Sequence, residues 1–237
     1  MRLFSDDVVS ARLADGWWTE ETWRDRFVRN VAEYPGRVCL VDAPGTAVSL
    51  GREPVRLTWS ELDAAVDRCA AVFHSHGVVA GDVLGIQIPN SVELVITYLA
   101  LNRLGVILSP YPTAYRRHEI AQLAEAANVR ALVTVAGWAG RELHDDLAAV
   151  LAARPGAGPL FTWNGERAGT EVPLDLASVM SGPDPGPAYR GHVAGLRPDP
   201  NDCTMIIFTS GTTGVPKGVP RAHGDSMVSA RTNVALP

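Results

Sequence analysis

"GDVLGIQIPNSVELVITYLALNRLGVILSP", residues Gly81 to Pro110, alternates two periods within thirty residues. Gly81-Asp82 makes a turn, and Val83 to Ile88 is an apolar run of strand length bounded by turn signals. Asn90 is placed to cap a helix. That helix runs to about Leu104, where Gly105 supplies a C-terminal stop. "VILSP" is then a second short apolar strand. A strand, a crossover helix and another strand within so few residues form a βαβ unit, which requires parallel strands.

The same alternation extends in both directions. Upstream, Thr19 precedes an acidic turn, and Trp23, Phe27 and Val31 follow at four-residue spacing. They predict an amphipathic helix stopped by Pro35-Gly36. "RVCLVD" reads as a strand and "PGTAVSLGREPV" as a turn-rich connection. Thr58 and Glu61 have capping-box spacing and open a helix that buries Leu62, Ala65, Val66, Cys69 and Phe73 and ends near Gly77. Downstream, Arg117 to Ala127 is a helix, "RALVTV" a strand, Arg141 to Ala153 a helix and "PLFTW" a strand. Residues 154–202 are dense in Pro and Gly and weakly periodic, and read as a long surface crossing. "CTMIIFT" is a compact apolar strand, and a helix is expected from about Gly224 to Leu236. The fold class is α/β: a mostly parallel, doubly wound sheet flanked by helices. The expected organisation is an N-terminal α/β subdomain over residues 1–180, a Pro/Gly-rich crossing over 181–202, and a strand, loop and helix over 203–237.

Composition narrows the function. A net charge of −5 gives no electrostatic footprint for nucleic acid. The N-terminus "MRLFSDDVVS" carries acids where a signal peptide has its apolar core. The longest apolar stretch is interrupted by Asn102 and Arg103, so no membrane span is expected. Cys39, Cys69 and Cys203 are scattered and read as reduced core residues, and the expected location is cytoplasmic. His74 and His76 do not share a helix face and make no metal pair. Trp17-Trp18, Trp59 and Trp163 read as packing anchors.

The strand "CTMIIFT" leads into "FTSGTTGVPKG", Phe208 to Gly218. Of 21 Lys and Arg residues, the one lysine is Lys217, inside this segment. Small residues expose backbone N–H groups that form an anion nest, hydroxyls add donors, and an ammonium on a flexible stem serves as a movable point charge. A Gly-rich hairpin turn is the alternative. Pro216 before Lys217 and Gly218 after it exclude the common phosphate-binding loop in which Gly precedes the lysine and a helix follows. A strand–loop–strand is expected instead, with "GVPRA" pairing near "MIIFT".

"TSGTTGVPKG" resembles the signature phosphate loop of the adenylate-forming enzymes, which include acyl-CoA synthetases and aryl-acid AMP ligases. "LTWSELDAAVDRCAAVFHSHGVVAGDVLGIQIPNSVELVITYLALNRLGVILSPYP" is similar to the first sheet unit of that family. "VPRAHGD" is similar to a segment of 2,3-dihydroxybenzoate-type AMP ligases, and "YRRHEI" to one of acyl- and aryl-CoA ligases. The resemblance implies that Thr209, Ser210, Gly211, Thr212, Thr213 and Gly214 wrap the ATP phosphates. Lys217 would be the catalytic cation. His223 matches the histidine of the aryl-acid segment; it is either substrate-proximal or a helix-capping or packing residue. ATP, Mg²⁺ and a CoA or phosphopantetheine thiol are the implied cofactors. A small carboxylic acid is the implied substrate, with a carrier protein as a further partner.

Later family motifs for adenine, ribose and the catalytic lid are not in the sequence. The resemblance therefore implies the N-terminal portion of a longer ligase, inactive alone and with an apolar C-terminal helix inclined to self-associate. The alternative is a non-catalytic α/β module that binds nucleotide or a partner.

Overall fold

Val83–Gln87 is buried on both faces, as are Ala131–Val135 and Leu160–Trp163. Strands with two apolar faces belong in the middle of a sheet covered by helices on each side. A computed structural model describes residues 1–165, 171–209 and 216–235 and shows that arrangement. The elements in chain order are α1 (Asp6–Ala14), α2 (Trp23–Glu33), β1 (Val38–Val41), α3 (Pro44–Ser49), β2 (Arg56–Thr58) and α4 (Trp59–Ser75). There follow β3 (Val83–Gln87), α5 (Val92–Arg103), β4 (Ile107–Pro110), α6 (Arg117–Ala126), β5 (Ala131–Val135), α7 (Leu143–Ala152) and β6 (Leu160–Trp163). The chain continues through β7 (Glu171–Leu174), α8 (Leu176–Ser181), α9 (Pro187–Gly195), β8 (Cys203–Thr209), β9 (Lys217–Ala222) and α10 (His223–Ala235).

Among the described residues, seven strands form one sheet in the order β7-β6-β5-β3-β4-β8-β9. Every pairing is parallel except the last, where β9 runs antiparallel to β8. β1 and β2 form a separate antiparallel pair. One face carries a core built on Phe73, Leu84, Ile86, Ile96, Leu101 and Phe161, and the other a core of Ile120, Leu123, Leu132, Leu147 and Leu160. Phe73 and Phe161 meet edge to face with centroids 4.6 Å apart. Trp163 donates Nε1–H to Thr97 Oγ1 at 2.9 Å, so the largest side chain of this core keeps its polar atom paired.

The opening βαβ unit forms as its sequence dictates. Gly105 has φ +71°, the left-handed conformation that stops α5. Local details differ. The N-cap of α5 is Ser91, not Asn90, and its side chain makes no capping bond. α2 starts at an N-cap of Thr22, not Thr19, where Asp25 three residues on completes a capping box. The connection "PGTAVSLGREPV" contains α3, with Pro44 in its first turn.

The largest difference lies in 154–202. This stretch holds β7, which adds a parallel strand at the sheet edge, and the helices α8 and α9. Arg68 of α4 donates to the carbonyls of Val179 and Met180, which ties α8 down. Trp17 is also exposed at 63%, whereas Trp18 is buried.

Candidate phosphate-binding hairpin

β8 and β9 pair from Cys203↔Ala222 to Thr209↔Lys217, with one register shift between Cys203 and Met205. Two antiparallel strands thus flank residues 210–215, and no helix follows Lys217 directly. Burial falls along the hairpin. Cys203 and Thr204 are buried at its base, whereas Thr209 and Lys217 are exposed at its open end. The hydroxyl of Thr209 donates to the Lys217 carbonyl at 3.4 Å, a long bond across the last pair. The lysine thus stands in water beside a threonine, at the end of a parallel strand, where α/β sheets place ligands. Ser210, Gly211, Thr212, Thr213 and Gly214 lie outside the described residues.

The base of the hairpin is heavily anchored. The backbone N–H of His223 donates to Asp202 O at 3.1 Å, and that of Gly224 to Pro200 O at 2.8 Å. Asp225 accepts from the Ala222 N–H at 3.2 Å, the carboxylate half of a capping box for α10, and pairs with Arg12 at 3.1 Å. Arg12 in turn lies over the rings of Phe4 and Trp18. Asn201 is fully buried: its Oδ1 accepts from the N–H groups of Leu3 and Phe4, and its Nδ2 donates to Phe4 O. The N-terminal segment is therefore built into the floor on which β8 starts. No spacing rule links residues 3 and 4 to residue 201.

His223 opens α10 and is 4% exposed. It sits at the opposite end of β9 from Lys217, roughly 20 Å away along the strand. Its Nδ1 accepts the backbone N–H of Trp23 at 3.3 Å. Burial lowers its pKa to about 4, against weaker opposing attraction from Asp202 and Asp25. Among the described residues, no group of three His, Cys, Asp or Glu side chains could hold a metal, and no helix is long and apolar enough to cross a membrane. Among the described side chains of α10, Met227 is buried; the exposed apolar residues nearby are Ile207 and Val219, opposite each other on the hairpin.

Residues 27–236 match the family model for the AMP-binding enzyme. The chain is 28% identical over 242 residues to the salicyl-AMP ligase / salicyl-S-ArCP synthetase of Mycobacterium tuberculosis, covering 98% of this chain and 39% of that protein. It is 30% identical over 227 residues to the 2-hydroxy-7-methoxy-5-methyl-1-naphthoate–CoA ligase of Streptomyces carzinostaticus, covering 93% of this chain and 38% of that protein. The apo structure of MbtA from Mycobacterium smegmatis superposes with a TM-score of 0.75 at 26% identity, covering 96% of this chain and 38% of that one. The chain thus spans about two fifths of the length of these relatives.

Proposed function

The chain belongs to the AMP-binding enzyme family, and from that premise we propose that it is the phosphate-holding part of an ATP-dependent ligase that activates an aryl carboxylic acid. The reading rests on one observation above all: the sole lysine stands exposed at the open end of the β8–β9 hairpin, paired with Thr209.

In the proposed reaction a carboxylate oxygen attacks the α-phosphorus of ATP, the bond to pyrophosphate breaks, and an acyl-adenylate remains. A thiol of CoA or of a carrier protein then takes the acyl group and AMP leaves. Both reactants of the first step are anionic, so the protein's task is to neutralise and position. Lys217 offsets charge gathering on the departing pyrophosphate. Thr209, Ser210, Gly211, Thr212, Thr213 and Gly214 would supply hydroxyl and backbone donors to the β- and γ-phosphates, with Mg²⁺ arriving on the nucleotide. The aryl class is supported by relatives whose names specify salicylate and a naphthoate, and by "VPRAHGD". His223 takes a supporting part, since its Nδ1 is engaged by Trp23.

The test is ATP–pyrophosphate exchange across a panel of aryl acids, run on the full reading frame that encodes these residues. Lys217→Ala is expected to slow exchange at least a hundredfold, in line with the loss of one charged transition-state contact, while carboxylate binding changes little. Unchanged exchange in that variant would remove the assigned role.

A further inference from the structure

A polar cavity lies at the other end of the sheet from Lys217. It has a volume of about 230 Å³ and is bounded by the segments leading into β3 and β4, through Gly81 and Gly105, and by the start of β8 at Cys203 and Thr204. Its charged and titratable lining is Met1 with its ammonium, Arg24, Arg103, Arg197, Asp202, Cys203 and His223. β8 runs seven residues from this floor to Thr209, roughly 20 Å, so the cavity is distinct from the phosphate hairpin.

The three arginines are not equally satisfied. Arg103 is held by Asp63 at 2.6 Å and by Asp67. Arg24 donates to carbonyls only, Val193 O at 3.0 Å and Leu196 O at 3.3 Å, and Arg197 likewise to Ala194 O and Leu196 O. Among the described residues, neither has a carboxylate at ion-pair distance. Burial, together with repulsion from Arg103 and Arg197, lowers the pKa of Arg24 despite attraction from Asp25. Positive charge there is under-compensated. His223 adds a donor, because a ring whose Nδ1 accepts from Trp23 carries its neutral-form proton on Nε2. One group opposes an anion: Asp202, whose Oδ2 accepts from the Asp199 N–H and whose Oδ1 is 3.8 Å from the Met1 ammonium.

We propose that this cavity binds a small tetrahedral oxyanion of the phosphate class, held between the guanidinium groups of Arg24 and Arg197. Guanidinium forks match tetrahedral oxyanions in geometry as well as charge. The volume admits one such ion with accompanying water. The ion would bridge α2 to the end of α9 and so fasten the crossing that leads into β8.

The test is a titration of the ¹⁵N-labelled 237-residue chain with sodium phosphate, against sodium chloride at equal ionic strength. A parallel arm with glycerol 3-phosphate asks whether a phosphomonoester end is accepted as well as free phosphate. Saturable amide shifts at Gly81, Gly105 and Thr204 are expected with phosphate and not with chloride. Arg24→Gln and Arg197→Gln should each weaken the apparent affinity about tenfold, the loss of one charge-assisted contact, and Lys217→Ala should leave it unchanged. Arg197 is exposed, so its variant serves should Arg24→Gln fail to fold. The proposal is overturned by the absence of saturable shifts at those amides, by equal shifts in chloride, or by folded arginine variants that bind as the wild type does. Shifts abolished by Lys217→Ala alone would assign the anion to the hairpin, a result that leaves the ligase reading intact.

Discussion

At the scale of single residues, Gly224 shows two effects in competition. It occupies the first turn of α10, where replacing Gly by Ala ordinarily stabilises a helix by up to about 1 kcal/mol. Yet an added Cβ would sit 2.5 Å from Trp18 Cε2 and 2.7 Å from Cε3, distances no carbon pair tolerates. Trp18 cannot yield freely, since it is 3% exposed and stacked edge-on against Phe4 at 5.6 Å. Overpacking of this kind costs about 1–3 kcal/mol and outweighs the helix gain. Gly224→Ala is therefore expected to lower stability by about 1–2 kcal/mol net in urea denaturation, with a shifted Trp emission. A more stable variant would show that the N-terminal segment is loosely seated.

At the scale of elements, the buried charges around Arg52 set the largest local stake. Its guanidinium spans from Asp42, just after β1, to Glu93 in the first turn of α5, with both Glu93 oxygens at 2.6 Å. Asn164, after β6, donates to the same carboxylate at 2.7 Å. The side chains of Asp42 and Glu93 are wholly buried. Burial alone would raise the Glu93 pKa, but the bonds from Arg52 and Asn164 outweigh it and hold it low. Removing the shared cation strands two carboxylates, so Arg52→Met is expected to cost about 3–5 kcal/mol by chemical denaturation. A loss under about 1 kcal/mol would mean that the carboxylates reach water without it. Elements like these differ in how far sequence discloses them. The capping box of α4 was legible because Thr58 and Glu61 are three residues apart, and it forms with Thr58 N–H donating to Glu61 at 2.8 Å. β7 was not, because Pro173 argues against a strand; the strand survives at a sheet edge, where a missing N–H is tolerated. α9 was hidden by Gly191 and Gly195 within it, and it is held by tertiary contacts from Arg24 and from Tyr189, which donates to Asp67.

At the scale of the whole molecule, the pairing of β8 with β9 was legible in the sequence and the anchoring of its base was not. Lys217 announces itself by being the sole lysine, and the pairing of "GVPRA" beside "MIIFT" was readable from the sequence, although the Thr209↔Lys217 register was not. The partner of His223 is Trp23, 200 residues away, and only the folded sheet brings α2 to the foot of β9. Burial of His223 couples global stability to pH with a definite sign. The folded-state pKa of His223 is depressed from 6.5 to about 4, chiefly by burial. Between those values the unfolded chain binds a proton that the native chain refuses, so its contribution is full above pH 6.5 and is lost as pH falls toward 4. The depression corresponds to up to about 3 kcal/mol at about 1.4 kcal/mol per unit. His223→Asn keeps an acceptor near the Nδ1 position but cannot titrate. Urea denaturation of both proteins from pH 7.5 to 4 is expected to show the wild type losing stability faster than the variant between 6.5 and 4, with no difference in slope above 7. Carboxylate titrations are common to both proteins and cancel in the comparison. Parallel profiles would mean that the imidazole at the foot of the hairpin is hydrated and protonates in place, and that the N-terminal segment does not seal the floor of β8.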